Sequence, residues 1–417
     1  MAPPEETSIG FPEIRVPALW TFIALIAGLL VGLLLRGSAA ETSVLAVARP
    51  LGSLWLRALQ MTILPLVAAL LFTGVVQTVA AAQAGALARR TLGLFALVLT
   101  SSTVFAALVV PPLLGAFPIP VEATAALGGM TRADPGAVPG LAEVIASLVP
   151  VNIVDAAAKD AMLPVIVFFT LFALAATRLP PAQRDPLAGL FAAVAAAMMV
   201  VIGWVLKLAP LGVFALGFAV AAQSGSAVIA ALAHYIGLVS AIGAVVLAAG
   251  YVLAVAGARL SLGAFARAMI PVQTVAFSTQ SSLASLPAML AACRTLGVSQ
   301  ARADFVLPLA VALFRATGPA MNLAVAIYVA WLTGTPITTA SMAAGVGVAL
   351  LTTLGSVSLP GTISFVTAIG PIALAMGVPI EPLALLVAVE MLPDLMRTLG
   401  NVTMDVAVTA TVDRRGR

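Results

Sequence analysis

The chain has 417 residues, with 20 Lys/Arg against 16 Asp/Glu, 62% hydrophobic residues and a mean hydropathy of +1.16. Soluble domains are roughly a quarter charged and about half apolar, so a water-soluble fold of this length is excluded, and a disordered chain with it. A disulfide scaffold is excluded too, since Cys293 is the only cysteine and is expected to be an inert buried thiol. The net charge of +4 comes from basic residues set singly in short loops, which gives no nucleic-acid partner. The composition is that of an all-α, multi-spanning membrane protein surrounded by lipid.

Residues 1–17 carry Glu5, Glu6, Glu13 and Arg15 and no basic n-region, so they read as a cytoplasmic N-terminal segment rather than a cleaved signal peptide. Spanning helices, which need roughly 20 apolar residues, are predicted at 19–36, 53–76, 91–114, 187–222, 228–256, 305–332 and 382–411. An eighth, over 141–177, is broken by Pro150, Asn152, Asp155, Lys159, Asp160 and Pro164 and reads as a helix assembled from pieces. Two further apolar segments, 263–292 and 338–373, are interrupted midway by polar, Gly and Pro residues.

With the N-terminus inside, Arg89, Arg90, Arg178, Arg184, Arg259 and Arg267 fall inside, and the loop at 223–226, without Lys or Arg, falls outside. Arg294 and Arg302 lie inside only if 263–292 enters the membrane and returns. A second hairpin at 338–373, entering from outside, leaves Glu381 outside and places Arg414, Arg415 and Arg417 in a basic inner tail. Arg36, Arg49 and Arg132 are the exceptions. The positive-inside tendency thus favours eight transmembrane helices plus two opposed re-entrant hairpins, with both termini cytoplasmic in a bacterial-type inner membrane. Paired interrupted segments of opposite orientation point to a transporter's binding site. The alternative is two loosely helical spans with incidental Gly and Pro.

The last span carries Glu390, Asp394, Arg397, Thr398, Asn401 and Asp405. At about 100° per residue they point to roughly 0°, 40°, 340°, 80°, 20° and 60°, one stripe opposite Leu392, Leu395, Leu399, Val402 and Val406. Ionisable residues at membrane depth cost a few kcal/mol each and mark ion or substrate paths. Arg397 can clamp a carboxylate through two parallel hydrogen bonds. Asp394 suits an ammonium group, Thr398 and Asn401 can orient a polar ligand, and Asp405 is a hard oxygen ligand for a small cation. A small anionic or zwitterionic substrate fits this set. The alternative is a self-satisfied ladder, Asp394 to Arg397 and Asn401 to Asp405. Glu390 reads as a proton-carrying site or as an acid paired with Arg397. Pro393 is expected to kink the helix just before the stripe. His234 and Lys207 receive no role, Lys207 being free to snorkel or to pair with Asp155 or Asp160.

An intramembrane enzyme is excluded, because Asp394 and Asp405 are about 16 Å apart along one helix at 1.5 Å per residue, whereas a carboxylate dyad needs about 3 Å. Neither a metal cluster nor an organic cofactor motif is visible.

The run Asp394-x-x-Arg397-Thr398-x-x-Asn401-Val402-x-x-Asp405 resembles the final-helix signature of the dicarboxylate/amino acid:cation symporter family, which has the glutamate-transporter-like fold. Residues 279–287, Thr-Gln-Ser-Ser-Leu-Ala-Ser-Leu-Pro, are similar to the serine-rich tip of the family's first hairpin, and Leu359-Pro360-Gly361 to the Val-Pro-Gly tip of the second. Arg57, Met61 and Pro65, the pair Thr100-Ser101, and the run 209–216 also match, in order along nearly the whole chain.

The resemblance implies an inverted-repeat, elevator-type homotrimer. Its membrane domain, 18–413, divides into a scaffold mainly at 18–90 and 141–256 and a transport core mainly at 91–115 and 257–413; residues 414–417 form the tail. It also implies that Arg397 binds a substrate carboxylate and Asp394 an amino group. Thr398, Asn401, the backbone near Ser281 and Ser282, and the Pro360–Gly361 tip would hold and enclose the rest, and Asp405 with Asn401, Thr100 and Ser101 would serve cations.

The seventh span departs from the pattern. Anchored on Leu307-Pro308-Leu309, the family's Asn-Met-Asp-Gly-Thr motif falls on Phe314-Arg315-Ala316-Thr317-Gly318. Two sodium-ligating positions thus hold Phe314 and Ala316, Arg315 replaces the methionine beside the cation sites, and Gly318 replaces a threonine that touches substrate. Aligning Asn322 with the motif instead breaks the Leu-Pro-Leu register.

The expectation is a symporter for an acidic amino acid or C4-type dicarboxylate, with Na+ or H+ as coupling ion, Arg315 as a built-in cation, and a watery chamber around Arg397 closed by the two hairpins. The alternatives are a sodium-independent or proton-coupled amino-acid exchanger, or a substrate-gated anion conduit.

Overall fold

A computed structural model describes residues 18–83, 85–120, 149–159, 161–355 and 361–415. Among these residues the regular structure is helical throughout. In chain order the helices are α1 (Ala18–Leu35), α2 (Ala39–Gln83), α3 (Ala86–Ala116), α4 (Ile153–Ala158), α5 (Met162–Ala176), α6 (Pro181–Lys207), α7 (Ala209–Ser224) and α8 (Ala227–Ala256). They continue as α9 (Leu262–Thr279), α10 (Leu286–Thr295), α11 (Gln300–Leu313), α12 (Gly318–Thr333), α13 (Thr339–Gly355), α14 (Gly361–Ala375), α15 (Leu383–Leu386) and α16 (Met391–Arg415). By length and composition, α2, α3, α6, α8 and the stretch Gln300–Thr333 can each cross a membrane.

Several boundaries differ from the sequence expectation for identifiable reasons. The span predicted over 187–222 is two helices, because Pro210 lies in the first turn of α7 and cannot continue the hydrogen bonding of α6. Helix α2 starts well before residue 53 and carries Pro50 and Pro65 inside it. The last span, expected as one helix over 382–411 with a kink at Pro393, is interrupted between Leu386 and Met391. Helix α16 begins at Met391, so Pro393 sits in its first turn, where N–H groups have no intrahelical acceptor to lose. The pieces expected within 141–177 are α4 and α5, with residues 141–148 outside the described set.

Two groups of helices emerge from the packing. In the outer one, α1 lies along α7, and α2 lies against α5, α6 and α7. A Cβ on Gly28 would sit 2.4 Å from the Phe214 carbonyl oxygen, and one on Gly32 would sit 2.6 Å from that of Phe218. The Gly28-x-x-x-Gly32 face therefore brings two backbones together, as small residues do between membrane helices. Trp55 ties α2 to α6 by donating its indole N–H to the Val205 carbonyl at 3.0 Å.

The inner group is built around α16, which contacts α8, α9, α10 and α11 and reaches α3. Helix α8, assigned to the scaffold from sequence, packs chiefly along α16 and belongs with the inner group by contact. Helices α9 and α10 pack together as a hairpin around residues 280–285, where Gln280 adopts a left-handed conformation. Helices α13 and α14 also pack together, and their tip, 356–360, lies outside the described residues.

Candidate substrate site

Helix α11 stops at Leu313, Phe314 is extended, and α12 restarts at Gly318 with Pro319 in its first turn. Backbone freed at membrane depth must find partners inside the protein, and here it does. The Thr317 N–H donates to Asn401 Oδ1 at 3.0 Å, and the Thr317 hydroxyl donates to the same oxygen at 2.8 Å while lying 3.1 Å from the Arg397 carbonyl. The Ala316 carbonyl accepts from the Ser102 hydroxyl at 3.2 Å. Gly400 makes the approach of α16 possible, since a Cβ there would meet Thr317 Cγ2 at 2.4 Å.

The polar stripe of α16, with Glu390 just before the helix, faces inward. Glu390 and Asp405 are 1% exposed and Asp394, Arg397, Thr398 and Asn401 are 5–6% exposed, while Leu392, Leu395 and Leu399 on the apolar face are half-buried. Arg397 is engaged at every nitrogen: Nη2 donates to Glu390 Oε1 at 2.6 Å, Nη1 to Asn322 Oδ1 at 2.7 Å, and Nε pairs with Asp394 Oδ1 at 3.2 Å. Tyr235 of α8 donates its hydroxyl to Glu390 Oε2 at 2.9 Å. Thr398 uses its hydroxyl within the helix, on the Asp394 carbonyl.

The open chamber expected around Arg397 is therefore not what the described residues form. The guanidinium and carboxylates meet one another in a buried cluster, because each isolated charge there would cost several kcal/mol. The Asp394–Arg397 half of the anticipated ladder is present. The Asn401–Asp405 half is not, since Asn401 is turned to Thr317.

Asp405 differs from the rest of the stripe. Among the described residues, neither of its buried carboxylate oxygens accepts a hydrogen bond. The half-buried Arg315 lies in the break, within electrostatic range of Asp394, Asp405 and Arg397. Phe314 is buried and stacks on Phe95 of α3 with centroids 4.2 Å apart and planes 6° apart, Ala316 has no ligand atom on its side chain, and the Asn401 oxygen is taken by Thr317. Among the described residues no group of three or more His, Cys, Asp or Glu could hold a metal ion.

Other expected residues lie as follows. Thr100 and Ser101 are exposed on α3, and the hydroxyls turned inward are Ser102 and the fully buried Thr103. Ser281 and Ser282 are half-buried at the first hairpin tip, where Ser281 Oγ accepts from the Ala284 N–H. Gly318 is buried, with space for a Cβ at 3.4 Å from Arg315 Cβ. Gly361 opens α14, and Pro360 lies outside the described residues. Lys207 is exposed, and Asp155 pairs with Lys159 instead; Asp160 lies outside the described residues. His234 Nε2 lies 3.0 Å from the Phe117 carbonyl.

Sequence reasoning missed Tyr235, Ser102 and the role of Asn322. Asn322 did carry a signal, as an amide among the apolar residues of α12, whereas Tyr235, one of two tyrosines in α8, carried none.

The profile of the sodium:dicarboxylate symporter family matches residues 18–415. The proton/glutamate-aspartate symporter of Escherichia coli (strain K12) is 27% identical over 401 residues, 94% of this chain and 91% of the relative. The proton/sodium-glutamate symport protein of Bacillus subtilis (strain 168) is 28% identical over 388 residues, covering 92% and 88%. The C4-dicarboxylate transport protein of Anaeromyxobacter sp. (strain K) is 28% identical over 406 residues, covering 95% and 89%. Over nearly its whole length the chain belongs to the sodium:dicarboxylate symporter family, a family of membrane transporters rather than enzymes.

Proposed function

We propose that the protein carries an acidic amino acid or a C4-type dicarboxylate across the inner membrane, with Arg397 as the anchor for a substrate carboxylate. The observation that carries this reading is a buried guanidinium facing a broken helix at membrane depth. Packing alone would be served as well by apolar residues, whereas a planar fork of donors is what carboxylate recognition needs. Asp394 offers a counter-charge for an ammonium group, which favours an amino acid over a plain dicarboxylate. The relatives' names, covering glutamate, aspartate and C4-dicarboxylates, support this class.

Coupling in this reading departs from a sodium cycle. Arg315, within electrostatic range of Asp394, Arg397 and Asp405, supplies permanently the positive charge that a sodium ion would bring, and Phe314, next to it in the chain, stacks on Phe95. Transport is then independent of sodium or driven by protons, with Glu390 as the candidate proton site. The two hairpins re-enter the membrane from opposite sides within an eight-span topology with both termini inside, and their tips, at Ser281–Ser282 and Pro360–Gly361, gate the site. The inner group moves as the transport core against the outer group of a homotrimer, and α8 moves with it.

The test is uptake into proteoliposomes. Arg397→Ala abolishes uptake of L-glutamate, L-aspartate and succinate while neutral amino acids remain tolerated. Unchanged acidic uptake in that variant refutes the assignment.

A further inference from the structure

We propose that Glu390, held in place by Tyr235, is a tethered carboxylate that competes with the substrate for the Arg397 guanidinium. The inference rests on Arg397 being the substrate anchor, and it adds a latch to that anchor.

The geometry of the Nη edge carries it. A carboxylate bound end-on needs two parallel N–H donors, one from Nη1 and one from Nη2 of Arg397. Nη1 is engaged by the Asn322 amide and Nη2 by Glu390 Oε1. Glu390 is therefore the group at Nη2 with the chemistry of the incoming ligand, and while it stays there an incoming carboxylate meets a second negative charge at the same nitrogen. Asp394, at Nε, already supplies Arg397 with a counter-charge one turn away, so neutralising the guanidinium does not require a second acid.

Glu390 is also placed to leave. It stands before α16 rather than inside it, in a stretch tied by i→i+3 backbone bonds such as Glu390 N–H to the Val387 carbonyl at 3.3 Å and Leu392 N–H to the Val389 carbonyl at 3.0 Å. Such bonds have poorer geometry than those of an α-helix and mark places where a chain adjusts.

Tyr235 opposes that movement. Its hydroxyl holds Glu390 Oε2, and its fully buried ring meets Tyr328 edge-on at 5.3 Å, while Tyr328 is itself fixed by a 2.9 Å hydrogen bond to the Ala231 carbonyl. Helix α8 thus fixes the position from which Glu390 reaches Arg397. Tyr235 touches neither Arg397 nor the proposed ligand position, so it acts as a positioning residue through Glu390.

The test is calorimetric binding of L-glutamate, L-aspartate and succinate to the full-length protein in lipid nanodiscs. Glu390→Gln keeps the shape and the Tyr235 hydrogen bond but removes the competing charge, so it binds the acids about tenfold tighter or more, the scale of a hydrogen bond to a charged group. Tyr235→Phe tightens binding by a smaller factor, and it carries the test alone if Glu390→Gln does not fold. A merely structural role for either side chain predicts weaker binding. Equal or weaker binding in the variants, with binding lost in Arg397→Ala, overturns the latch and leaves the anchor standing. Binding retained in Arg397→Ala, or absent from every variant, removes the anchor and the latch with it.

Discussion

The α1–α7 seam and the α16–break contact are both held by glycine, yet they serve opposite ends. In the seam, Gly28 and Gly32 bring apolar helix backbones against the backbones of Phe214 and Phe218. At the break, Gly400 brings a charged helix against Thr317, and polar groups from α3, α8, α12 and α16 converge there. The first arrangement gains dispersion energy, the main source of helix association where lipid is as apolar as the side chains. The second buries ionisable groups at a cost that packing does not require. Close packing without charge holds the frame, and close packing of charge builds the site.

The largest expected effect separates the two. Gly400→Leu pushes α16 away from Thr317 and breaks both hydrogen bonds to Asn401, so uptake in proteoliposomes falls at least a hundredfold while the protein still inserts. Uptake within a few fold of normal would mean that the break and α16 need not touch. Gly28→Ala sharpens the contrast from the other side. Its Cβ meets a backbone carbonyl that cannot swing away, so the thermal midpoint drops by the equivalent of about 1–3 kcal/mol, with uptake per folded molecule unchanged. A loss of uptake with no loss of stability would contradict the division. The smallest effect concerns α3. Ser102→Ala removes a hydrogen bond to the Ala316 carbonyl and weakens stability by about 1 kcal/mol, whereas Thr100→Ala and Ser101→Ala are near neutral. The reverse ranking, read by thermal melting, would place the inward face of α3 two residues earlier.

The legible and illegible parts of this site follow from the same physics. The α16 stripe could be read directly, because charges in an apolar segment stand out and helical spacing places them on one face. Phe314 and Ala316, where the resemblance puts an asparagine and an aspartate, stand out in the same way. The inward face of α3 was not, since Thr100, Ser101, Ser102 and Thr103 are consecutive hydroxyls and only the packing of α12 on α3 selects among them. Tyr235 was invisible for a related reason: α8 is apolar nearly all round, so its sequence does not say which side meets α16. Pro393 lies inside the span expected from 382, but α16 begins only at Met391, and hydropathy does not mark the interruption between Leu386 and Met391. Self-pairing of Arg397 lay in the sequence as an alternative, and tertiary contact with Asn322 and Glu390 decided it.

The central claim is that this site binds an acid with a built-in cation in place of sodium. The most direct measurement is uptake of L-glutamate, L-aspartate and succinate into proteoliposomes in sodium-free buffer, with and without an imposed proton gradient. The account predicts saturable uptake of at least one acid without sodium; strict sodium dependence with several ions carried per cycle would contradict it.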